Sequence, residues 1–123
     1  MGFFFAGLII HGGLQAWWVE PLLENIGRTT VIFITTGLSA FIDNAAITYL
    51  ISLISNFPDK LKYDIIVSAV SAGGTTIIAN APNPAGYALL KGYFKDNISP
   101  IYLFLSALCP TVIMLIIFTL FGI

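Results

Sequence analysis

One carboxylate stands apart from every other charged group in this sequence. Asp43 lies in the run Phe41-Ile42-Asp43-Asn44-Ala45-Ala46, with no other charge between Arg28 and Asp59. An ionisable side chain inside an apolar stretch is a functional-site hypothesis by default, because hydrocarbon leaves its charge unsolvated. Asp43 also suits the N-cap of a helix that begins at Asn44, although Ser or Thr would fill that role without a charge. When ionised, such a group binds Na+, and when neutral it holds a proton. Competition between the two for one carboxylate is all that exchange requires.

A second set of oxygen-bearing residues follows in Ser71-Ala72-Gly73-Gly74-Thr75-Thr76-Ile77-Ile78-Ala79-Asn80-Ala81-Pro82-Asn83-Pro84-Ala85-Gly86. Pro82 and Pro84 each delete a backbone donor, and each pushes the residue before it out of the α region. A helix crossing here must break, with Gly73 and Gly74 on one side of the break and the prolines on the other. The hydroxyls of Thr75 and Thr76, the amide oxygens of Asn80 and Asn83, and the freed backbone carbonyls are the ligands a hard cation takes. Unpaired N–H groups at the same break would instead suit an anion, so this motif leaves the sign of the substrate open. A plain proline kink packed by small residues explains the prolines and glycines, but it leaves two asparagines without a task.

The remaining candidates carry less. His11 and Gln15, four apart, share one face of a helix, where an interhelical hydrogen bond is a simpler reading than a proton relay. Thr35, Thr36 and Ser39 are expected to bond back to helix carbonyls, and Tyr63, Tyr87 and Tyr93 to anchor at interfaces. Cys109 is the single cysteine, so it offers neither a disulfide nor a metal site and reads as a small core residue. There is no Ser/His/Asp or Cys/His arrangement, phosphate loop or metal cluster in the sequence, and catalysis is not expected. Five scattered basic residues and a net charge of -1 make no basic stripe for nucleic acid.

The elements that position Asp43 follow from composition. The chain has 123 residues, of which 58% are hydrophobic and 9% charged, against about 25% charged in a soluble domain. The charge-free intervals 1–19, 29–42, 44–58, 65–90 and 97–123 are 19, 14, 15, 26 and 27 residues long. A membrane-spanning helix needs roughly 17–25 apolar residues, so the first and the last two intervals can each cross, while the middle pair individually cannot. The fold class expected is therefore all-α and integral to the membrane.

In this reading Gly2 to Val19 form a first span that exits at Trp17 and Trp18, where half-wet rings suit the headgroup level. Residues 20–28 form an interfacial connector. Met1 is followed at once by Gly2-Phe3-Phe4-Phe5, without the basic leader of a secretory signal. Residues 29–57 are either one long tilted helix or a re-entrant hairpin with Asp43-Asn44 at its tip. Each arm is too short to cross, and Asp and Asn are poor helix interiors, which favours the hairpin. Residues 61–92 are a crossing broken near mid-membrane, and residues 98–122 are a final span capped by Asn97 or Ser99 and kinked at Cys109-Pro110. Lys91 and Lys95 are expected to be solvated.

This order of elements resembles the C-terminal half of a Na+/H+ antiporter of the ion transporter superfamily. Phe41-Ile42-Asp43-Asn44-Ala45-Ala46 is similar to that family's second hairpin tip, and Gly73-Gly74-Thr75-Thr76-Ile77-Ile78-Ala79-Asn80-Ala81-Pro82-Asn83 to its second discontinuous helix. Arsenite, citrate and dicarboxylate carriers share a related glycine and Pro-Asn pattern, so the Asp43 motif must carry the case for cations.

The resemblance implies one repeat of an inverted-repeat transporter that moves by an elevator-like displacement. Residues 1–28 would be a scaffold-type helix and arm, and residues 29–123 half of a transport domain. It further implies a homodimer in the lipid bilayer of the prokaryotic inner membrane, completed by an N-terminal repeat absent from this chain. Asp43, Asn44, Thr75, Thr76, Asn80 and Asn83 would serve transported Na+ and H+, and no cofactor is implied. An anion carrier of the same superfamily and a small accessory membrane subunit are the alternatives.

Overall fold

The computed structural model describes residues 2–54, 57–95 and 97–121. Ser55 and Asn56, within the expected hairpin, and Gly122, at the expected end of the last span, lie outside them. Among the described residues every regular element is helical: α1 (Gly2–Gly13), α2 (Ala16–Glu24), α3 (Arg28–Ser39), α4 (Asn44–Ser52), α5 (Asp59–Ala72), α6 (Asn83–Leu90) with a short 3-10 turn at Lys91–Phe94, and α7 (Pro100–Phe121).

Helices α3 and α5 run side by side in the same direction. At one end the Arg28 guanidinium grips Asp64 with two bonds, from Nε to Oδ2 at 2.6 Å and from Nη2 to Oδ1 at 2.9 Å. At the last residue of α3, the Ser39 hydroxyl donates to the Ala69 carbonyl at 2.8 Å. Ser39, Ser68, Ala69 and Ala72 are buried here, and such small side chains let helix backbones approach closely. Larger residues fill the opposite end, where Val31, Ile51, Ile54, Phe57 and Ile65 form a buried cluster with Val19. That cluster joins the first turn of α3 to the last turn of α4. The chain therefore reverses at residues 40–43, and α4 returns antiparallel to α3.

Helix α7 lies along α5 in the opposite sense. Thr111 is its buried residue and donates to the Ser71 carbonyl at 3.1 Å, while Phe118 meets the Tyr63 ring edge-on, with centroids 6.4 Å apart. Most of the rest of this helix is exposed, and most of that exposed surface is apolar. Among the described residues α7 is the one helix that is by itself long and apolar enough to cross a membrane.

Four expectations are corrected. The first span, residues 2–19, is two helices, α1 and α2, joined by a turn at Leu14-Gln15. Gly12 and Gly13 weaken the helix, the Gln15 backbone N–H donates to the Gly12 carbonyl at 2.9 Å in a tight turn, and the Gln15 side-chain oxygen accepts from the Trp18 indole. His11 and Gln15 thus do not share a helix face. Ser39 bonds across to α5 and not back along α3, because its neighbour on that face is a bare Ala69 carbonyl. Cys109 is exposed and not a core residue, since α7 turns Thr111 toward α5.

Candidate functional site

The site lies where the turn between α3 and α4 meets the break between α5 and α6. Asp43 has extended-type backbone angles (φ -52°, ψ 128°) and caps α4, its Oδ1 accepting from the Ala45 amide at 2.7 Å. The positive end of the α4 dipole thus faces the carboxylate. Its second oxygen reaches across the fold, where Oδ2 accepts from the Ala81 amide at 2.8 Å. One side chain therefore ties the helical turn to the broken segment.

The break itself, residues 73–82, is a string of tight turns. Thr75, Ala79 and Asn83 each donate their backbone N–H three residues back, to Ala72, Thr76 and Asn80. Asn83 opens α6, with Pro84 in the first turn, where its missing donor leaves no helix bond unmade. The Asn83 amide group donates to the Gly73 carbonyl at 2.8 Å and to the Thr76 carbonyl at 2.9 Å. It therefore staples the two ends of the break together. The Thr76 hydroxyl donates to the Ala40 carbonyl in the turn after α3, which makes a second bridge beside that of Asp43.

Gly73 is a point of close approach between the two halves. A Cβ added there would stand 3.1 Å from Nδ2 of Asn44, so a bare backbone lets the Asn44 carboxamide rest on the break. The structure thus brings Asp43, Asn44, Thr76 and Asn83 into one cross-braced unit with Gly73. Thr75 is buried, and its hydroxyl turns back to the Ala72 carbonyl at 2.6 Å. Asn80 is half-buried and joins the unit through its backbone carbonyl, which accepts from Asn83. Gly74 and Pro82 line a cavity of about 250 Å³ together with Thr76, Asn83, Tyr87 and Leu103.

Among the described residues there is no group of three or more His, Cys, Asp or Glu arranged to hold a metal ion. A cation held here would take hydroxyl, amide and backbone oxygens around a single carboxylate, which is a ligand set for a weakly held alkali ion. Sequence reasoning missed the backbone partners, Ala40 and Ala81, because a carbonyl or amide carries no signal in residue type. It also missed the Arg28–Asp64 pair, whose members served only to bound the charge-free intervals.

An all-α chain with a lipid-compatible apolar surface, in which two interrupted helical segments meet at one carboxylate, has the architecture of a helical membrane protein. The chain belongs to the putative Na+/H+ antiporter family, whose model matches residues 1–121. That family is one of transporters. No curated protein and no solved structure matches the chain.

Proposed function

We propose that this chain forms part of a secondary transporter exchanging Na+ for H+, with Asp43 as the coupling carboxylate. The observation that carries this reading is the position of Asp43, whose two oxygens join the α3–α4 turn to the break before α6. In this reading the carboxylate binds Na+ when ionised, helped by oxygens of Asn44, Thr75, Thr76, Asn80 and Asn83. When protonated it can no longer hold the cation. Mutual exclusion at one group makes one ion leave as the other arrives.

The family membership supports antiport over other transport chemistry. Anion carriage is disfavoured by the same geometry, because the Ala81 amide at the break already faces a carboxylate and a bound anion would meet that charge. In the proposed membrane arrangement α3 and α4 form a re-entrant hairpin and α5–α6 a discontinuous crossing. Gly73, Gly74, Pro82 and Pro84 hold the break open. A second, related repeat completes the site, and the assembly is a homodimer in the inner membrane, with Na+ and H+ as cargo and no cofactor.

The experiment is Na+-driven proton movement in liposomes containing the complete protein. Exchange in the native protein and its loss in Asp43→Asn are the expected results. Undiminished coupled exchange in Asp43→Asn would remove Asp43 from the mechanism, and uptake dependent on an added dicarboxylate or oxyanion would replace the reading with anion carriage.

A further inference from the structure

We propose that the groove between α1 and α4 is the route by which water and the transported cation reach Asp43. The inference rests on the antiport reading above and adds to it a path and the residues that line it.

A cavity of about 480 Å³ separates these two helices. Its α1 wall is apolar, built from Phe5, Leu8 and Ile9, while the α4 wall presents Asn44, Thr48 and Ser52. These three are spaced four apart, so they fall on one line along α4. Eight residues at about 1.5 Å each make that line about 12 Å long. It begins beside the Asp43 cap, at half-buried Asn44, and ends at exposed Ser52. A helix of which six of nine residues are apolar or aromatic thus carries its polar residues as one stripe running from exposed Ser52 to Asn44, the residue next to Asp43.

The hydrogen bonding of this wall sets the sign of what it admits. The Thr48 hydroxyl donates to the Asn44 carbonyl at 2.8 Å, and the Ser52 hydroxyl to the Tyr49 carbonyl at 2.6 Å. Both protons are committed to the helix, which leaves the oxygens with free lone pairs toward the groove. Tyr49 donates its own hydroxyl proton across to the Ile9 carbonyl at 3.3 Å, so its oxygen too is left as an acceptor. An anion would need donors, which the side chains of this wall offer only at the Asn44 amide, whereas a cation needs acceptors, which Asn44, Thr48, Tyr49 and Ser52 all supply. None of the lining residues carries a charge, so a cation meets oxygens in sequence without being trapped before Asp43.

The test is thiol labelling of the complete protein in membrane vesicles, with Cys109→Ser as the background. Thr48→Cys and Ser52→Cys are to be modified by a membrane-impermeant cationic methanethiosulfonate, with Ile51→Cys, buried in the core cluster, as the control. The expected result is modification at 48 and 52, slowed by Na+ and about tenfold faster than with an anionic reagent of the same size. Ile51→Cys should stay unmodified. The proposal is overturned if positions 48 and 52 react no faster than 51, or if the anionic reagent reacts equally well. Thr48→Val, which keeps the shape and removes the oxygen, gives a second readout: exchange should fall severalfold, and an unchanged rate counts against the route. Labelling is read without any gradient, so it stands even if Na+/H+ exchange fails. Labelling that persists in an Asp43→Asn background separates the path from the coupling group.

Discussion

The Asp43 carboxylate and the Ala81 amide, 38 residues apart in the chain, meet at 2.8 Å. The same carboxylate caps α4 through Ala45, so one substitution tests two structural roles and one functional role. Asp43→Ala should lower stability by about 2 kcal/mol, of which about 1 is the lost cap and about 1 the lost tether. Asp43→Asn keeps an oxygen for one bond and should cost about half as much. Both should abolish exchange. Melting of the purified variants in detergent, set beside their transport, checks this; a variant that keeps exchange while losing stability would show the carboxylate to be structural only.

Asn83 tests the staple across the break. Its amide hydrogens both point at carbonyls, those of Gly73 and Thr76. Asn83→Ala should cost about 2 kcal/mol, about 1 for each bond. Asn83→Asp should cost more than Ala, because an acceptor-only side chain sets its oxygens against two carbonyl oxygens. The reverse order in a melting series would mean that the amide does not close the break.

Gly12 reports on the contact between α1 and α4. A Cβ added there would lie 2.6 Å from a ring carbon of Tyr49, inside any allowed contact. Gly12→Ala should therefore destabilise by about 1–3 kcal/mol, and adding Tyr49→Leu should recover much of that loss. Neighbouring Gly13 has nothing within 4 Å of such a Cβ, so Gly13→Ala should be neutral or mildly stabilising. A double-mutant cycle on positions 12 and 49 measures the coupling, and simple additivity would refute the contact.

Arg28 and Asp64 should matter more than any surface pair. Asp64 is 4% exposed and receives a two-pronged guanidinium, whereas Asp59 is fully exposed and stands 3.9 Å from Lys62. Asp64→Asn should lower the melting temperature by several degrees and Asp59→Asn should leave it unchanged, because buried and surface pairs respond differently to losing a partner. Arg28→Lys should not restore the native value, since an ammonium lacks the planar fork.

The parts of this molecule that could be read from sequence are those governed by single residue types. Prolines 82 and 84 announce a break because they remove donors, and Asp43 before Asn44 marks a helix start because Asp caps well. What residue types do not encode is which backbone group a side chain reaches. Ser39 could equally have bonded within α3, and its choice of Ala69 depends on how close α5 comes. The same holds for Gln15, whose pairing with Trp18 takes it out of the helix that its spacing from His11 suggested. Cys109 looked internal by its chemistry, yet α7 buries Thr111 against α5 and leaves Cys109 exposed.

Two of the three side-chain bridges between the α3 and α5 segments, the outer pair on either side of Ser39–Ala69, share one register. Arg28 pairs with Asp64, and Ala40 accepts from Thr76, with the same separation of 36 positions in each case. Both stretches therefore count an equal number of residues between their anchors, like two rulers pinned at both ends. Adding or deleting one residue in either stretch would turn the following side chains by about 100° and move them about 1.5 Å along the axis. The Asp43 turn would then miss the break even with every residue of the site intact. A one-residue insertion in one stretch alone would therefore break the bridge at its far end, whereas substitutions that keep the spacing leave both anchors in reach.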